Sequence, residues 1–312
     1  MVLPGSAVAE EAAARLVERI NRSARLGLTL VGRFEPGETR SAHLLEDGRG
    51  GEWVLKWSVA SADSEAGLGR MVRLVESLRR DGYPAPRHLT VGVADGLAYW
   101  VQERLPGTPV HLFAPSRPAG DLLAELVPRL LELVELHAGK GDLAAPPWPA
   151  WLLRTLEVGG DGYCLHETMA ASADTAGMLR RIKDVASVCS GLPVRGDDIV
   201  HFDYSYANIL TDGSGVTGVI DWNVPFAGAL QGDRGFDVAT LLFYAYDRPT
   251  IRARLWRALL DVTTTPWAAA YLAHLTLRQV EWVRRFYPGT DEHDRFVSIG
   301  RAVLDDVDVL LA

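Results

Sequence analysis

The sequence predicts an α+β fold in two lobes, a small antiparallel sheet followed by a mainly helical part. Short apolar segments separated by glycine-rich turns fill the first third of the chain, and helical periodicity dominates from about residue 121 onward. Charge is also distributed unevenly. Acidic and basic residues balance at 14 each up to Arg104, so the residues after it carry the whole net charge of −8. We therefore predict a 1–104 lobe and a 105–312 lobe.

The first lobe is predicted as a helix followed by five antiparallel strands, with a second helix inserted among them. Between about 62 and 80, apolar residues recur with the 3.6-residue period, and Gly82 with the prolines after it ends that helix. The turn at 47–51 contains three glycines, which tolerate the positive φ angles of hairpins. The predicted elements are helices at about 6–22 and 62–80 and strands at about 26–34, 39–45, 52–57, 88–94 and 97–103.

The second lobe is predicted to be mainly helical. Residues 121–137 have the period of a long amphipathic helix, whereas 140–163 is rich in Gly, Pro and Trp and is expected to be a loop followed by a short helical piece. A β pair is predicted at 207–211 and 216–221, around a turn with two glycines. Helices are expected to resume at about 236.

Composition excludes several classes of protein. With 48% hydrophobic and 23% charged residues among 312, the chain has the composition of a globular protein rather than of a disordered one. A net charge of −8 argues against a nucleic-acid binder that neutralises phosphates. No apolar run approaches the roughly 20 residues of a membrane span, and the two cysteines form no CxxC pair. We expect a cytoplasmic protein that contacts neither nucleic acid nor membrane.

The most informative segment runs from His201 to Leu210 and contains Asp203 and Asn208, five residues apart. Asp221 follows thirteen residues after the Asn, at the end of the next predicted strand. This spacing supplies one carboxylate to orient a hydroxyl group and two oxygen ligands for Mg²⁺, which prefers carboxylates together with substrate phosphates. Those are the parts that phosphoryl transfer needs.

The chain resembles the aminoglycoside phosphotransferase family, and the resemblance implies a bilobal protein-kinase-like fold. The family pattern is H-x-D-x-x-x-x-N, then I-D-W or I-D-F, then a G-D-x-x-x-D-L-A-like segment. The matching residues span roughly 50 to 245 and are His201, Asp203 and Asn208, Ile220-Asp221-Trp222, 232–239, Val54-Leu55-Lys56, 82–86, 102–107 and Leu136-His137.

The resemblance implies a role for each matching residue. Asp203 would accept or orient the hydroxyl proton, and Asn208 and Asp221 would hold Mg²⁺. Lys56, the only lysine before residue 140, would bind the phosphates of ATP or GTP. The remaining candidates support these groups: His201 and Asp237 would brace the catalytic loop, and backbone groups of Gln102, Glu103 and Arg104 would bind the purine edge.

This sequence departs from the family pattern in three places. The acidic partner of Lys56 would fall near Val72, so Glu65 or Glu76, on the same helical stripe, would replace it, and we favour Glu65. The hairpin at 34–40 lacks a GxGxxG motif, so its backbone amides would have to hold the phosphates. Phe202 stands where a glycine is common between the His and the Asp.

The sequence thus predicts an Mg²⁺-dependent enzyme that transfers the γ-phosphoryl group of ATP or GTP to a small molecule. The resemblance implies an aminoglycoside-like antibiotic and hence resistance, and the acidic second lobe suits a cationic acceptor. One alternative is a kinase for a nucleoside, macrolide or peptide antibiotic, or for a metabolite such as choline or homoserine. An alternative from another class is a nucleotide-binding regulator without turnover.

Overall fold

The computed structural model describes residues 6–34, 42–113, 119–222 and 230–312. It confirms the predicted fold class, with an antiparallel sheet in the N-terminal part and mostly helices in the rest. The chain divides into two compact units. The first comprises Met1–Gly107 and Thr217–Trp222, and the second comprises Thr108–Val216 and Asn223–Ala312. The predicted division at residue 104 does not include this return of 217–222 to the first unit.

The first unit is built on a five-stranded antiparallel sheet, in which the strands lie in the order Leu28–Arg33 (β1), His43–Asp47 (β2), Glu52–Val59 (β3), Leu97–Glu103 (β5) and His88–Ala94 (β4). The predicted strand at 39–45 begins among residues that the structure does not describe, and β2 starts only at His43. The unit contains α1 (Ser6–Ala24), β1 (Leu28–Arg33), β2 (His43–Asp47), β3 (Glu52–Val59), α2 (Ser64–Arg80), β4 (His88–Ala94) and β5 (Leu97–Glu103), to which 217–222 adds most of a later strand.

The core of the first unit lies between the sheet and α1. On β3, Trp53, Leu55 and Trp57 point into this core because alternate residues of a strand face one side. Leu16 and Ile20 of α1 pack against them. Lys56 therefore lies on the opposite face of the strand, where it is half-buried. The alternation of side chains along β3 thus separates the one lysine of this unit from the apolar core.

The turn between β2 and β3 is closed by the side chain of Asp47. Its carboxylate accepts hydrogen bonds from the backbone N–H groups of Arg49 and Gly51, both at 2.8 Å, and from Trp53 Nε1 at 3.0 Å. The Trp53 hydrogen bond, followed by the two backbone bonds, lowers the pKa of Asp47. Gly50 has a φ of 80°, which explains the glycine at this position.

The second unit is mostly helical, as predicted. The predicted loop with one short helical piece over 140–163 agrees with the helix at Trp148–Val158, whereas the sequence predicts no boundaries for the two helices that follow it, His166–Ala170 and Ala173–Cys189. The unit contains β6 (Thr108–Pro109), a 3-10 turn (Val110–Leu112), α3 (Ala119–Glu135), α4 (Trp148–Val158), α5 (His166–Ala170), α6 (Ala173–Cys189), β7 (Asp198–Ile199), β8 (Ile209–Thr211), β10 (Gln231–Gly232), α7 (Gly235–Tyr244), α8 (Pro249–Val262), α9 (Thr265–Phe286) and α10 (Asp291–Leu311), with β9 (Val216–Val219) at its junction with 217–222.

The core of the second unit is centred on α9 and on a cluster of aromatic rings. Trp148 contacts Phe202, Phe236 and Tyr271, with ring centroids 5.1, 5.2 and 5.6 Å apart. A Cβ on Gly232 would lie 2.8 Å from the Trp148 ring, so a side chain cannot be added there without displacing the indole. Cys164 and Cys189 are free and buried. Within the described part of the chain, no helix has both the length and the apolar character needed to cross a membrane.

Candidate active site

The segment between β7 and β8, which we call the catalytic loop, carries the predicted catalytic residues, and hydrogen bonds to Asp237 hold its backbone in place. This carboxylate, on the first turn of α7, is fully buried. Its Oδ2 accepts a hydrogen bond from the backbone N–H of His201 at 2.9 Å, and its Oδ1 accepts one from that of Phe202 at 3.1 Å. His137 Nδ1 lies 3.1 Å from Oδ2. Asp237 therefore fixes the two residues that precede Asp203.

His201 is buried and faces the loop rather than solvent. Its Nδ1 accepts a hydrogen bond from the backbone N–H of Asp203 at 3.3 Å, and its ring packs against Tyr204. A nitrogen that accepts from a backbone amide is not available to accept a substrate proton. The contacts of His201 are thus those of a residue that shapes the loop.

Asp203 is partly exposed, and each of its carboxylate oxygens contacts a different side chain. Asn208 Nδ2 donates to Oδ2 at 2.9 Å and to the backbone carbonyl of Asp203 at 2.9 Å. Arg278, on α9, donates through Nη2 to Oδ1 at 3.1 Å. The carboxylate is therefore oriented from both sides. Sequence reasoning missed Arg278, which lies 75 positions away along the chain.

Phe202 has an unusual backbone conformation for an aromatic residue. Its φ is 66°, in the left-handed region that glycine adopts without steric cost. Its side chain is 2% exposed and packs among Trp148, Trp151 and Phe236. The positive φ gives a physical reason why glycine is common at this position in the resembling family. In this chain the position is taken by a phenylalanine whose ring is buried against three other aromatic rings.

Lys56 of β3 forms an ion pair with Asp221, and both groups belong to the first unit. The two side chains are 15% and 29% exposed, so the pair is partly shielded from water. The acidic residues predicted as partners of Lys56 are placed differently. Glu76 pairs with Arg79 on its own helix at 3.0 Å, and Glu65 is exposed and forms no ion pair within the described ranges.

The segment that carries Asp221 is docked on the turn after α2. The backbone N–H of Val219 donates to the carbonyl of Pro84 at 2.8 Å, and the Trp222 ring meets Tyr83 edge-on at 5.5 Å. Trp222 Nε1 donates to the Val219 carbonyl at 2.9 Å, and Asp221 has a φ of 69°. These contacts explain why 82–86 and 220–222 both belong to the resemblance: the two segments pack together.

The strand end predicted to bind the purine edge is partly occupied by protein contacts. The backbone N–H of Glu103 donates to the Arg87 carbonyl at 2.8 Å, and that of Arg104 donates to the Glu52 carbonyl at 3.3 Å. Gln102 is buried. The amides of Glu103 and Arg104 are therefore not open donors in this structure. The phosphate-covering hairpin predicted at 34–40 lies almost wholly outside the described residues.

The segment before α7 forms a second buried polar network that the sequence analysis missed. Asp233 accepts hydrogen bonds from Gly235 N at 2.7 Å, Thr263 Oγ1 at 2.5 Å and Tyr271 Oη at 2.8 Å. Burial raises the pKa of Asp233 despite these bonds. The next residue, Arg234, bonds Asp198 at 3.1 Å and Glu135 at 3.1 Å, so the segment joins β7, α3 and α9.

Much of the acidic excess of the second unit is engaged in structural contacts. Glu281 is 1% exposed and lies 3.1 Å from Arg285, and Asp198 is buried beside Arg234. On α10, Asp305 and Asp308 pair with Arg181 of α6, and Asp306 accepts a hydrogen bond from Tyr246. These groups tie helices together. The net charge alone therefore gives little support to a cationic acceptor.

Comparisons with known proteins agree with this architecture. Amicoumacin kinase hAmiN, solved with AMP-PNP, Ca²⁺ and Ami, is 15% identical over 95% of this chain and 96% of its own, with a TM-score of 0.59. The GDP complex of aminoglycoside 2'-phosphotransferase-IIIa is 16% identical over 95% and 98%, with a TM-score of 0.57. Macrolide 2'-phosphotransferase MphH from Brachybacterium faecium is 16% identical over 91% and 97%, with a TM-score of 0.54.

At these identities the likeness shows the fold. A comparison with curated proteins finds no match for this sequence. The family model described as "Phosphotransferase enzyme family" matches residues 31–271, which is most of the chain and includes the loop braced by Asp237 and the Lys56–Asp221 pair. The resemblance seen in the sequence is thereby confirmed, and the chain belongs to the phosphotransferase enzyme family.

Proposed function

We propose that the protein transfers the γ-phosphoryl group of ATP or GTP to a hydroxyl group of a small molecule. The observation that carries the proposal is the oriented carboxylate of Asp203, which two side-chain donors hold on a loop braced by a buried acid. A carboxylate fixed in this way can accept a hydrogen bond from an acceptor hydroxyl and direct its oxygen toward phosphorus. Phosphoryl transfer needs mainly such positioning and charge stabilisation.

Lys56 is proposed to bind the phosphates of the nucleotide. Its ammonium is paired with Asp221 in this structure, which places a mobile point charge beside the carboxylate proposed as a metal ligand. Complexes of the similar structures with AMP-PNP and Ca²⁺, and with GDP, support a nucleotide donor and a divalent cation.

Mg²⁺ is the cation that we propose, and the donor set fits it. Because Nδ2 of Asn208 makes both hydrogen bonds to Asp203, the other end of its amide, Oδ1, is the oxygen left to bind a metal. Asp221 offers a carboxylate, and Mg²⁺ is held by such oxygens together with phosphates. When bound, the ion supplies charge neutralisation on the phosphate oxygens.

The purine is proposed to bind at the end of β5, near Gln102, Glu103 and Arg104. Since the amides of Glu103 and Arg104 donate to the carbonyl groups of Arg87 and Glu52, the contacts with the purine would come from carbonyl groups there or from the amide of Leu105. Neither of these two sets of backbone contacts selects ATP over GTP. Glu65, which is exposed in this structure, remains the proposed partner of Lys56 in the form in which Asp221 would bind the metal.

Two classes of acceptor are candidates. The similar structures of an amicoumacin kinase, a macrolide phosphotransferase and an aminoglycoside phosphotransferase support a hydroxylated antibiotic, and the aminoglycoside-like, cationic form would make the protein a resistance enzyme. One observation favours a less cationic acceptor, such as a macrolide, nucleoside or peptide compound. The guanidinium of Arg278 compensates the negative charge of Asp203, so this carboxylate attracts an ammonium group next to the reacting hydroxyl less strongly than an unpaired one would.

The test is nucleoside diphosphate release with MgATP and MgGTP against a panel of aminoglycoside, macrolide, nucleoside and peptide compounds. Wild type should turn over at least one acceptor. Asp203→Asn should reduce kcat by about 10²–10⁴, as expected for a positioned acid–base group. Asp197→Asn, which changes an exposed carboxylate in the same unit, is the control and should keep wild-type kcat. Nucleotide binding without turnover of any acceptor would instead support the silent regulator.

A further inference from the structure

We propose that Arg278 is a positioning residue that fixes the orientation of Asp203 during phosphoryl transfer. The inference rests on the proposed function. Arg278 lies beyond residues 31–271, which match the family model, so the family pattern does not assign it a role. The contacts of Arg278 indicate its role, because its guanidinium donates both to the backbone of the catalytic loop and to the carboxylate of Asp203.

The two hydrogen bonds of Arg278 act on consecutive residues. Nη1 donates to the carbonyl oxygen of Phe202 at 3.0 Å, and Nη2 donates to Oδ1 of Asp203 at 3.1 Å. The rigid, planar fork of an arginine fixes the distance between the two acceptors in a way that a lysine cannot. With Asn208 on Oδ2, each oxygen of the carboxylate has its own donor. The plane of the Asp203 carboxylate is therefore set by protein before any substrate binds.

The backbone of Phe202 supplies one of these two acceptors. Its left-handed conformation, with φ at 66°, is the one in which its carbonyl accepts from Arg278. The N–H of the same residue donates to Asp237. Phe202 is thus held at both ends, by Asp237 through its N–H and by Arg278 through its carbonyl, and Asp203 follows directly.

The helix that carries Arg278 is a firm support. On its N-terminal half, Trp267 Nε1 donates to the Pro193 carbonyl at 2.9 Å and Tyr271 Oη donates to Asp233 at 2.8 Å. His274, one turn before Arg278, is fully buried against Trp151 and Phe236. Because these contacts anchor the helix, the backbone of Arg278 is fixed relative to the catalytic loop. The guanidinium can therefore hold the Asp203 carboxylate in one position.

The pairing also sets what Asp203 does chemically. In the transfer, the acceptor oxygen bonds to the γ-phosphorus while the bond from phosphorus to the bridging oxygen breaks, and the nucleoside diphosphate leaves with that electron pair. The hydroxyl proton passes to the Asp203 carboxylate. Because its two oxygens already accept from Asn208 and Arg278, the carboxylate is held in the orientation that directs the hydroxyl. In a loose transition state the new oxygen–phosphorus bond is little formed, so the hydroxyl proton leaves late.

The experiment compares Arg278→Gln and Arg278→Lys with Arg285→Gln, using the full chain and any acceptor that the wild type turns over. Arg285 is a matched control because it is also a partly buried arginine of α9, bonded to the Gly162 carbonyl at 3.0 Å and to Glu281. Thermal unfolding of every variant separates loss of folding from loss of rate. Each substitution is also made together with Asp203→Asn.

Arg278→Gln should lower kcat by roughly 10- to 100-fold, because small misplacement of a reacting group costs about this much, while KM for the nucleotide changes less than about twofold. Arg278→Lys should fall between Gln and wild type, and Arg285→Gln should keep wild-type kcat. In the Asp203→Asn background, Arg278→Gln should cost little more, since the residue acts through that carboxylate.

Four outcomes would overturn the inference alone, and three concern Arg278 itself: wild-type kcat in Arg278→Gln, an effect confined to KM, or the same loss of rate with and without the Asp203 carboxylate. A matching loss in Arg285→Gln would also overturn it, because it would reflect the helix rather than the contact. If wild type transfers phosphate to no acceptor, the proposed function fails and this inference fails with it.

Discussion

Replacing Phe202 by glycine should be less harmful than replacing it by alanine, which reverses the usual order at most positions. Phe202 combines a φ of 66° with a side chain that is 2% exposed among three aromatic rings. Removing the ring costs about 3–5 kcal/mol in either variant, through lost burial and the cavity left behind. The backbone decides the difference between the two variants.

A left-handed conformation costs a residue with a Cβ about 1–2 kcal/mol, and glycine avoids this cost. Glycine loses about 0.5–1 kcal/mol more conformational entropy on folding. At the centres of these two ranges, the balance favours Phe202→Gly over Phe202→Ala by about 0.75 kcal/mol. In a unit of this size, that difference corresponds to a gap in Tm of roughly 1–4 °C.

The assay is thermal unfolding followed by circular dichroism, with both variants measured against wild type. Trp151, which contacts Phe202 from the helix α4, provides the control pair. There the φ is helical, so Trp151→Gly should be less stable than Trp151→Ala by about 1 kcal/mol. A Phe202→Ala protein as stable as Phe202→Gly would show that the positive φ carries no strain and would refute the reasoning.

Three further predictions concern metal binding, acceptor charge and pH. Asp221→Asn should show a much smaller rise in Tm with MgATP or MgGTP than wild type, because it removes a charged oxygen ligand; equal rises would place the metal elsewhere. The KM of a cationic acceptor held by charge should rise as NaCl approaches about 0.5 M, where the Debye length falls to roughly 4 Å, whereas an uncharged acceptor should show a flat or falling KM. Burial, helped by Arg278, lowers the pKa of His274 to about 3, so wild-type stability should fall relative to His274→Gln as pH drops below about 6.5; parallel pH curves would contradict a buried neutral imidazole.

The sequence could predict those parts of the site whose residues are close together in the chain. Asp203 and Asn208 are five residues apart and share a hydrogen bond, so their spacing alone was enough to predict that they belong to one site. The strands of the first unit were predictable because alternation along β3 is strict and its turns contain glycine. The periodicity of 121–137 likewise predicted α3, which the structure places at Ala119–Glu135.

Long-range contacts explain what the sequence could not predict. Arg278 meets Asp203 across 75 positions, and no local pattern marks an arginine in the middle of a buried helix as a partner of that carboxylate. The return of 217–222 to the first unit depends on the hydrogen bond from Val219 to Pro84. A signal for α6 was present but overlooked: Ser172 caps its N-terminus, and buried residues follow at helical spacing.

Transfer of labelled phosphate tests the central claim most directly. Wild-type protein, Mg²⁺ and nucleotide labelled with ¹⁸O on the γ-phosphate would be incubated with each acceptor, and both the acceptor and the protein would be weighed by mass spectrometry. We predict an acceptor heavier by one labelled phosphoryl group, no phosphoryl group on the protein, and loss of the product in Asp203→Ala. Label found only in inorganic phosphate or on the protein, or undiminished product in Asp203→Ala, would contradict direct transfer to a hydroxyl oriented by Asp203.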